Sequence, residues 1–561
     1  MMKKRMKQFM ALALSAVMLV GAAGCGSETT GNNSNESQTA VETSETQITE
    51  ETQDTVVNED ITYPLDTDVE LSVWHANFLK PNEAYASYAE SPFHRGLEDK
   101  TGVKIDWQHP ATGTDVPTAF NLLLTEKELP DILFLSLSPT QGQQMIDDGA
   151  IYDLTEYLPK YAPDYWATVT QPQYEGSFKS MFTSDGKLYC VGSFVEEAAS
   201  ITYMGPIVRK DWLDECGLDI PETIEEWNTM LTAFKEKYDC TPMAMRLHQL
   251  LLYDNVASAT NAYTSMPARF YVKDGKIGFA NVEPEWKEYV TLMNEWYTGG
   301  ILDKDSVTMD NNAVRAKAID NKVGVTFGAL SFLNDLIKDA EAENTGAEWV
   351  AIGYPRVSEG APVTALQSRA NHWNNVSAVI TTSCPEEELI TALQWLNYGY
   401  TEEGAMYWNY GDEGVSYTLN AEGQAEFTDI VKNDPAGLNS GITKYTGVAS
   451  NGLALQDFNF LIQKNGEAGG NALNVWTENS DAQLYYIPSL SLTEEESTDY
   501  TDAYASISSY VAEMGQKFMT GEVAIDKFDE YVKTLYDMGL QKCIDIQQAA
   551  YDRFMATEVN Y

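Results

Sequence analysis

Apolar and polar residues alternate over Val69-Glu70-Leu71-Ser72-Val73, a period of two that predicts a strand leading into Trp74-His75-Ala76-Asn77. A second strand is expected at Val103 to Trp107, after a helix-like stretch around Leu97. The third, Ile132-Leu133-Phe134-Leu135, is wholly apolar, the pattern of a strand buried on both faces of a parallel sheet. Further along, the period lengthens to that of helices. Thr223-Ile224-Glu225-Glu226 forms a capping-box pattern just after Pro221, and Ile224, Trp227, Leu231, Phe234 and Tyr238 then recur at helical spacing. Another helix is expected from Pro284 through Trp286, Tyr289, Met293 and Trp296 to Gly299-Gly300. A third opens at Ser383-Cys384-Pro385-Glu386, with Leu389, Leu393 and Leu396 on one face and Gly399 as its stop. These stripes are core, and strands alternating with helices at this spacing predict α/β layers.

The first 60 residues follow neither period. Met1 to Gly24 carries Lys3, Lys4, Arg5 and Lys7 and no acid, then an apolar stretch from Phe9 to Val20, then Gly21-Ala22-Ala23-Gly24 before Cys25. That is the layout of a secretory signal peptide, and its apolar core is well short of the roughly 20 residues that span a bilayer. The Ala-Ala-Gly-Cys ending resembles a bacterial lipobox, which implies lipidation of Cys25 and a new N-terminus there. Residues 26–60 hold nine acids, no Lys or Arg and almost nothing large and apolar, so they read as a disordered tether. A flexible chain of this length reaches roughly 30–35 Å.

Charge narrows the partners. The 561 residues hold 84 acids against 36 bases, a net charge of −48, and no basic run exists outside the first seven residues, so nucleic acid is not an expected partner. Setting aside the nine tether acids and the four signal bases, 75 acids face 32 bases on the remainder, so the acidity belongs to the globule. Six cysteines without a C-x-x-C spacing suggest neither a disulfide framework nor zinc, and buried reduced thiols are expected. The five histidines are dispersed. Asp303, Asp305 and Asp310 lack the Gly and terminal Glu of an EF-hand loop, so no metal site is assigned. No phosphate loop and no nucleophile elbow occur, no cofactor is called for, and an acidic pair of the glycosidase type cannot be singled out among so many acids. The chain is not expected to be an enzyme.

Aromatics are the more informative residues. Trp74-His75-Ala76-Asn77, His372-Trp373-Asn374-Asn375 and Tyr407-Trp408-Asn409-Tyr410 each set a ring beside amides where an element should end. A flat apolar ring suits the C–H face of a pyranose, and Asn, His and Asp suit its hydroxyls; each Trp could equally be core.

Several segments in order resemble the extracellular solute-binding lipoproteins of ABC importers, the sugar-importer type (family 1) of Gram-positive bacteria. They are Arg209-Lys210-Asp211-Trp212-Leu213 with Gly217-Leu218-Asp219 and Pro221 to Trp227; Asp274-Gly275-Lys276, Glu283-Pro284-Glu285 and Gly299 to Asp303; Tyr410-Gly411-Asp412-Glu413-Gly414 with Tyr417; and Gln547 to Arg553. The resemblance implies an α/β, two-lobed periplasmic-binding-protein-like fold of type II, with hinge strands and a helical C-terminal region. It places a first lobe at 61–203, a second at 204–365, a return to the first at 366–440, and helices packing across both at 441–561. By the same resemblance the chain captures a carbohydrate, an oligosaccharide, by hinge closure. It delivers it as a monomer to permease subunits at the outer face of the membrane, anchored in the bilayer through Cys25. The cleft residues it implies are Trp74, His75, Ser136, Ser138, Tyr203, Phe327, Trp373, Asn374, Trp408 and Tyr410, with Trp373 and Trp408 as stacking platforms and His75, Ser138 and Asn374 as hydroxyl partners. Arg369 leaves a carboxylate-bearing sugar open. The alternatives are a secreted glycan hydrolase and a binder of peptides or peptidoglycan fragments on the same fold.

Overall fold

The computed structural model describes residues 61–76, 85, 87–111, 114–196, 202–246, 256–264, 269–365, 372–448 and 452–557, the side chains of Asn374 and Asn375 excepted. Cys25, the signal and tether segments and Arg369 lie outside the described residues. In chain order the strands are β1 (Glu70–His75), β2 (Lys104–Gln108), β3 (Ile132–Leu135), β4 (Val191–Val195), β5 (Met204–Arg209), β6 (Phe270–Lys273), β7 (Lys276–Phe279), β8 (Val325–Ala329), β9 (Trp349–Ala351), β10 (Trp373–Ile380), β11 (Tyr417–Leu419), β12 (Ala425–Phe427) and β13 (Leu455–Gln456).

Six of them form one sheet in the order β13-β4-β10-β3-β1-β2. β1 is parallel to β2 and β3, β13 is parallel to β4, and β10 is antiparallel to both β3 and β4. The sheet is therefore mixed, where the apolar run of β3 suggested a parallel one. All four β3 residues are buried as that run requires. The antiparallel strand arises because the chain re-enters at the edge where β3 and β4 end, and must run the other way. β1 extends to His75 because Trp74 pairs with Gln108 and Leu133, and His75 with Phe134, so both belong to the strand and not to a loop after it. A second, three-stranded sheet, β8-β5-β9, is antiparallel throughout.

Helices α1 (Pro92–Thr101) and α2 (Pro139–Asp147) follow β1 and β3. α3 (Ile224–Lys237) and α4 (Pro284–Thr298) supply the core of the second sheet through Trp227, Phe234, Trp286 and Met293, packed with Val208 and Phe327. The expected capping box of α3 is formed: Thr223 Oγ1 accepts from the Glu226 N–H at 3.3 Å, and Glu226 Oε2 accepts from the Thr223 N–H at 2.9 Å. α5 (Glu386–Asn397) does not stop at Gly399, which lies inside a following 3-10 turn. That glycine serves close approach, since a Cβ there would meet the Leu453 carbonyl oxygen at 2.2 Å. α6 (Glu402–Tyr410) leads into the β11–β12 hairpin.

Three connections join the two sheets. β4 passes to β5 through 196–203; Ala365 precedes the return to β10; and β13 runs directly into α7 (Phe458–Thr477). The far end of α7 lies on the second sheet, where Trp476 Nε1–H donates to the Pro206 carbonyl at 3.1 Å and the indole fills the space over Gly205. Gly466 (φ 74°, ψ 178°) breaks α7 midway, a conformation essentially confined to glycine. α8 (Glu494–Thr520), α9 (Phe528–Asp537) and α10 (Leu540–Ala556) then add Ile507, Val511, Phe518, Tyr531, Leu535 and Cys543 to the second-sheet core. Just before α8, the Leu492 N–H donates to Thr140 Oγ1 of α2 at 3.0 Å. Cys190, Cys384 and Cys543 are buried, Cys216 and Cys240 partly so, and all five are free thiols. Burial pushes the Cys384 thiol up to about 12 and those of Cys240 and Cys543 up to about 11.

Candidate functional site

β1, β2, β3, β4 and β13 run one way and β10 the other, so five strand ends and the start of β10 share one edge of the larger sheet. Open α/β sheets bind ligands outside the carboxyl ends of their strands. This edge carries Trp74-His75, Gln108-His109, Ser136, Glu196, His372-Trp373 and Gln456-Asp457. Backbone hydrogen bonds tie it together: Val195 N–H to the His372 carbonyl at 3.0 Å, and Glu196 N–H to the Gln456 carbonyl at 3.1 Å. The connection from Glu196 ends at Tyr203, whose carbonyl accepts from the Leu330 N–H at 3.2 Å, beside the end of β8 on the smaller sheet. One chain segment thus links the two edges.

The side chains differ in what they offer. Ser136 and Glu196 are exposed. Ser138 is exposed too, but its hydroxyl oxygen caps α2, accepting from the Gln141 N–H at 3.2 Å while Gln141 Oε1 accepts from the Ser138 N–H at 2.9 Å. His75 is buried between Tyr88 and Phe134, ring centroids 5.1 and 5.2 Å away. Trp74 is buried beside Phe120 at 6.2 Å. Trp373 is 2% exposed, and its Nε1–H donates to the Val376 carbonyl at 3.1 Å. Tyr203 is half-buried. Tyr410 is buried and reaches the edge through its hydroxyl, which donates to Asp457 Oδ2 at 2.6 Å. Proximity to that carboxylate adds to burial in pushing the phenol up.

Two expected residues stand apart from this group. Phe327 is fully buried beneath the second sheet against Trp227. Trp408, 4% exposed, lies on Phe93 at 5.0 Å, and a Cβ at Gly452 or Gly447 would collide with its ring at 1.9 or 2.1 Å. The Asn374 side chain lies outside the described residues.

Three residues of the edge stand outside the expected cleft set, although one of them, His372, belongs to a segment singled out for its aromatic ring. His372 Nδ1–H donates to the Val195 carbonyl at 2.8 Å, which leaves Nε2 as an acceptor in the neutral ring. Glu196 is the first residue past the apolar run of β4, and reading that run as a strand would have found it. Asp457 caps α7, accepting from the Asn459 N–H at 2.7 Å. On the second sheet Arg246 is buried, its guanidinium donating to Asn311 Oδ1 and the Phe327 carbonyl. The edge therefore offers hydroxyl, carboxylate and imidazole groups in a frame of buried aromatics. Among the described residues no three of His, Cys, Asp and Glu stand close enough to hold a metal ion. Between Asp303 and Asp305 lies the Lys317 ammonium, 2.9 and 3.1 Å from their carboxylates.

The sequence profile described as "Bacterial extracellular solute-binding protein" matches residues 80–406. The chain is 22% identical to lipoprotein LipO of Bacillus subtilis, over 95% of this chain and 96% of that one. It is 23% identical to the fructooligosaccharide ABC transporter substrate-binding protein FusA of Streptococcus pneumoniae, over 89% and 93%. Among solved structures it resembles the HMO-binding, ABC-transporter-associated solute-binding protein of Bifidobacterium longum infantis, with a TM-score of 0.70, 19% identity, and 87% and 99% of the two chains covered. A mixed α/β chain with two main sheets, three connections between them and a polar strand-end edge, matched by this profile over more than half its length, belongs to the bacterial extracellular solute-binding protein family.

Proposed function

We propose that the chain captures an oligosaccharide between two lobes and delivers it to the permease of an ABC importer, held at the outer face of the membrane by lipid on Cys25. The lobes are 61–203 with 366–440, and 204–365, with the helices of 441–561 packing across both. The observation that carries the reading is the strand-end edge: exposed Ser136 and Glu196, and half-buried His372, Gln456 and Asp457, stand where three connections between the sheets converge. Connections of this kind absorb hinge rotation while the packed sheets move as bodies. Trp74, His75, Ser136, Ser138, Tyr203, Trp373, Asn374 and Tyr410 are proposed to line the cleft or support its lining. Trp408 and Phe327 enter only if opening uncovers them. FusA is named for fructooligosaccharides and the Bifidobacterium protein for HMO, which supports a carbohydrate as cargo. Two acyl chains at Cys25 would anchor stably where one would not. We propose a monomer that works by binding, with no catalytic step.

Titrating the purified protein with a panel of oligosaccharides, followed by calorimetry and Trp fluorescence, tests this. Saturable heat with unchanged sugars is expected. Silence toward every glycan alongside tight peptide binding, or release of cleaved product, would overturn it.

A further inference from the structure

Among the described residues, the lysines and arginines of this acidic chain are exposed to solvent or engaged in ion pairs and hydrogen bonds, with one exception. Lys464, in α7, is half-buried and has neither. Its neighbours on the helix fix where it stands. β13 ends at the strand-end edge, where Gln456 registers with Val195, and Asp457 opens α7 directly after it. Phe460 packs on Tyr410 and Phe427, on the side of the larger sheet and its hairpin. Phe458 and Leu461 pack into the core that holds Leu330, Phe332 and Trp476, on the side of the smaller sheet. At about 100° per residue, Lys464 falls roughly 40° from Phe460, 60° from Leu461 and 20° from Asp457. It therefore leaves the helix between the faces committed to each lobe, on the stripe that begins at the strand-end edge.

We propose that Lys464 is the counter-charge for an anionic cargo: the captured oligosaccharide bears a carboxylate, as uronates do, and that carboxylate pairs with the Lys464 ammonium when the lobes close. The proposal rests on the carbohydrate-capturing reading above. An ammonium partly taken out of water without a partner is destabilising, and an arriving anion offsets that loss. Burial holds the Lys464 ammonium below the ordinary lysine range, as expected for a cation whose partner is not part of the chain. The surrounding net negative charge would repel a free anion at distance, so selectivity for one requires a local cation of this kind.

The test is calorimetry of the purified protein and of Lys464→Met with short galacturonate, glucuronate and mannuronate oligosaccharides, each against its carboxyl-reduced neutral counterpart. The wild type should bind at least one acid ten-fold or more tightly than its neutral counterpart. In Lys464→Met that preference should fall below three-fold, with affinity for neutral sugars kept. Ligand-free Lys464→Met should melt no lower than the wild type, because the substitution removes an unpaired, half-buried charge, and Lys464→Arg should retain part of the preference. Neutral sugars bound as tightly as acids, or a preference that survives Lys464→Met, overturns the inference and leaves carbohydrate capture standing. No binding of any glycan, acidic or neutral, overturns both. Should Lys464→Met fail to fold, the lysine is structural and the inference falls unless Lys464→Gln, folded, loses the acid preference.

Discussion

At the residue scale, burial separates what neighbouring residue types had joined. Trp373 and Trp408 each sit beside asparagines in the chain, which is why both suggested sugar platforms. What covers their rings comes from far away: Gly192 against Trp373, and Gly447 and Gly452 against Trp408. Local sequence carries no signal of those partners. Gly452→Ala should therefore destabilise the protein by about 1–3 kcal/mol through overpacking on Trp408, read from urea unfolding. His94 gives a pH prediction. Burial, and secondarily His75, hold its imidazole down to about 3. The unfolded chain accepts a proton near pH 6.5 that the folded chain refuses, so stability falls as pH drops below about 6.5, by up to about 1.4 kcal/mol per pH unit. Carboxylates held low by partners, such as Asp211 beside Arg209, add their own loss only as pH approaches the carboxylate range near 4. Urea midpoints measured from pH 7 to 4.5 should decline in the wild type and flatten in His94→Gln. An equal decline in both would remove the assignment.

At the scale of elements, regular segments were legible and special ones were not. β3, the α3 capping box and the stripe of α4 follow their periods because each element buries one face against neighbours of the same kind. Thr223→Ala should cost about 1 kcal/mol by removing the cap of α3, measurable as a lower melting temperature. α7 was not legible: before Gly466 it packs toward both sheets, and after it toward the smaller one through Ala472, Leu473 and Trp476, so no single apolar stripe runs its length. Gly466 holds a backbone conformation open almost only to glycine, and Gly466→Ala should cost about 1–3 kcal/mol while altering how the lobes close. A substitution without effect on either stability or ligand affinity would argue against α7 as part of the hinge. β10 shows the same limit in another form. Its antiparallel direction depends on where the chain re-enters the sheet, which no local pattern records.

At the scale of the molecule, the order of family-like segments carried the fold, and the profile match over residues 80–406 gives it a family. The sheet that organises the site draws strands from residues 70 to 456, so no stretch of sequence contains the site by itself. Glu196, His372 and Asp457 meet only because β4, β10 and β13 are neighbours in that sheet. The excess of 75 acids over 32 bases on residues 61–561 then has a plain place on the solvated surface of a protein of an extracellular family, with Lys317 between the two carboxylates of the acidic loop that looked like a cation site. Capture by closure is the central claim, and small-angle X-ray scattering of the purified protein, with and without an oligosaccharide that binds it in calorimetry, tests it most directly. The account predicts a radius of gyration that falls saturably with the same midpoint as the heat of binding. Tight binding with an unchanged radius, or a radius that changes only as the sugar is cleaved, would contradict it.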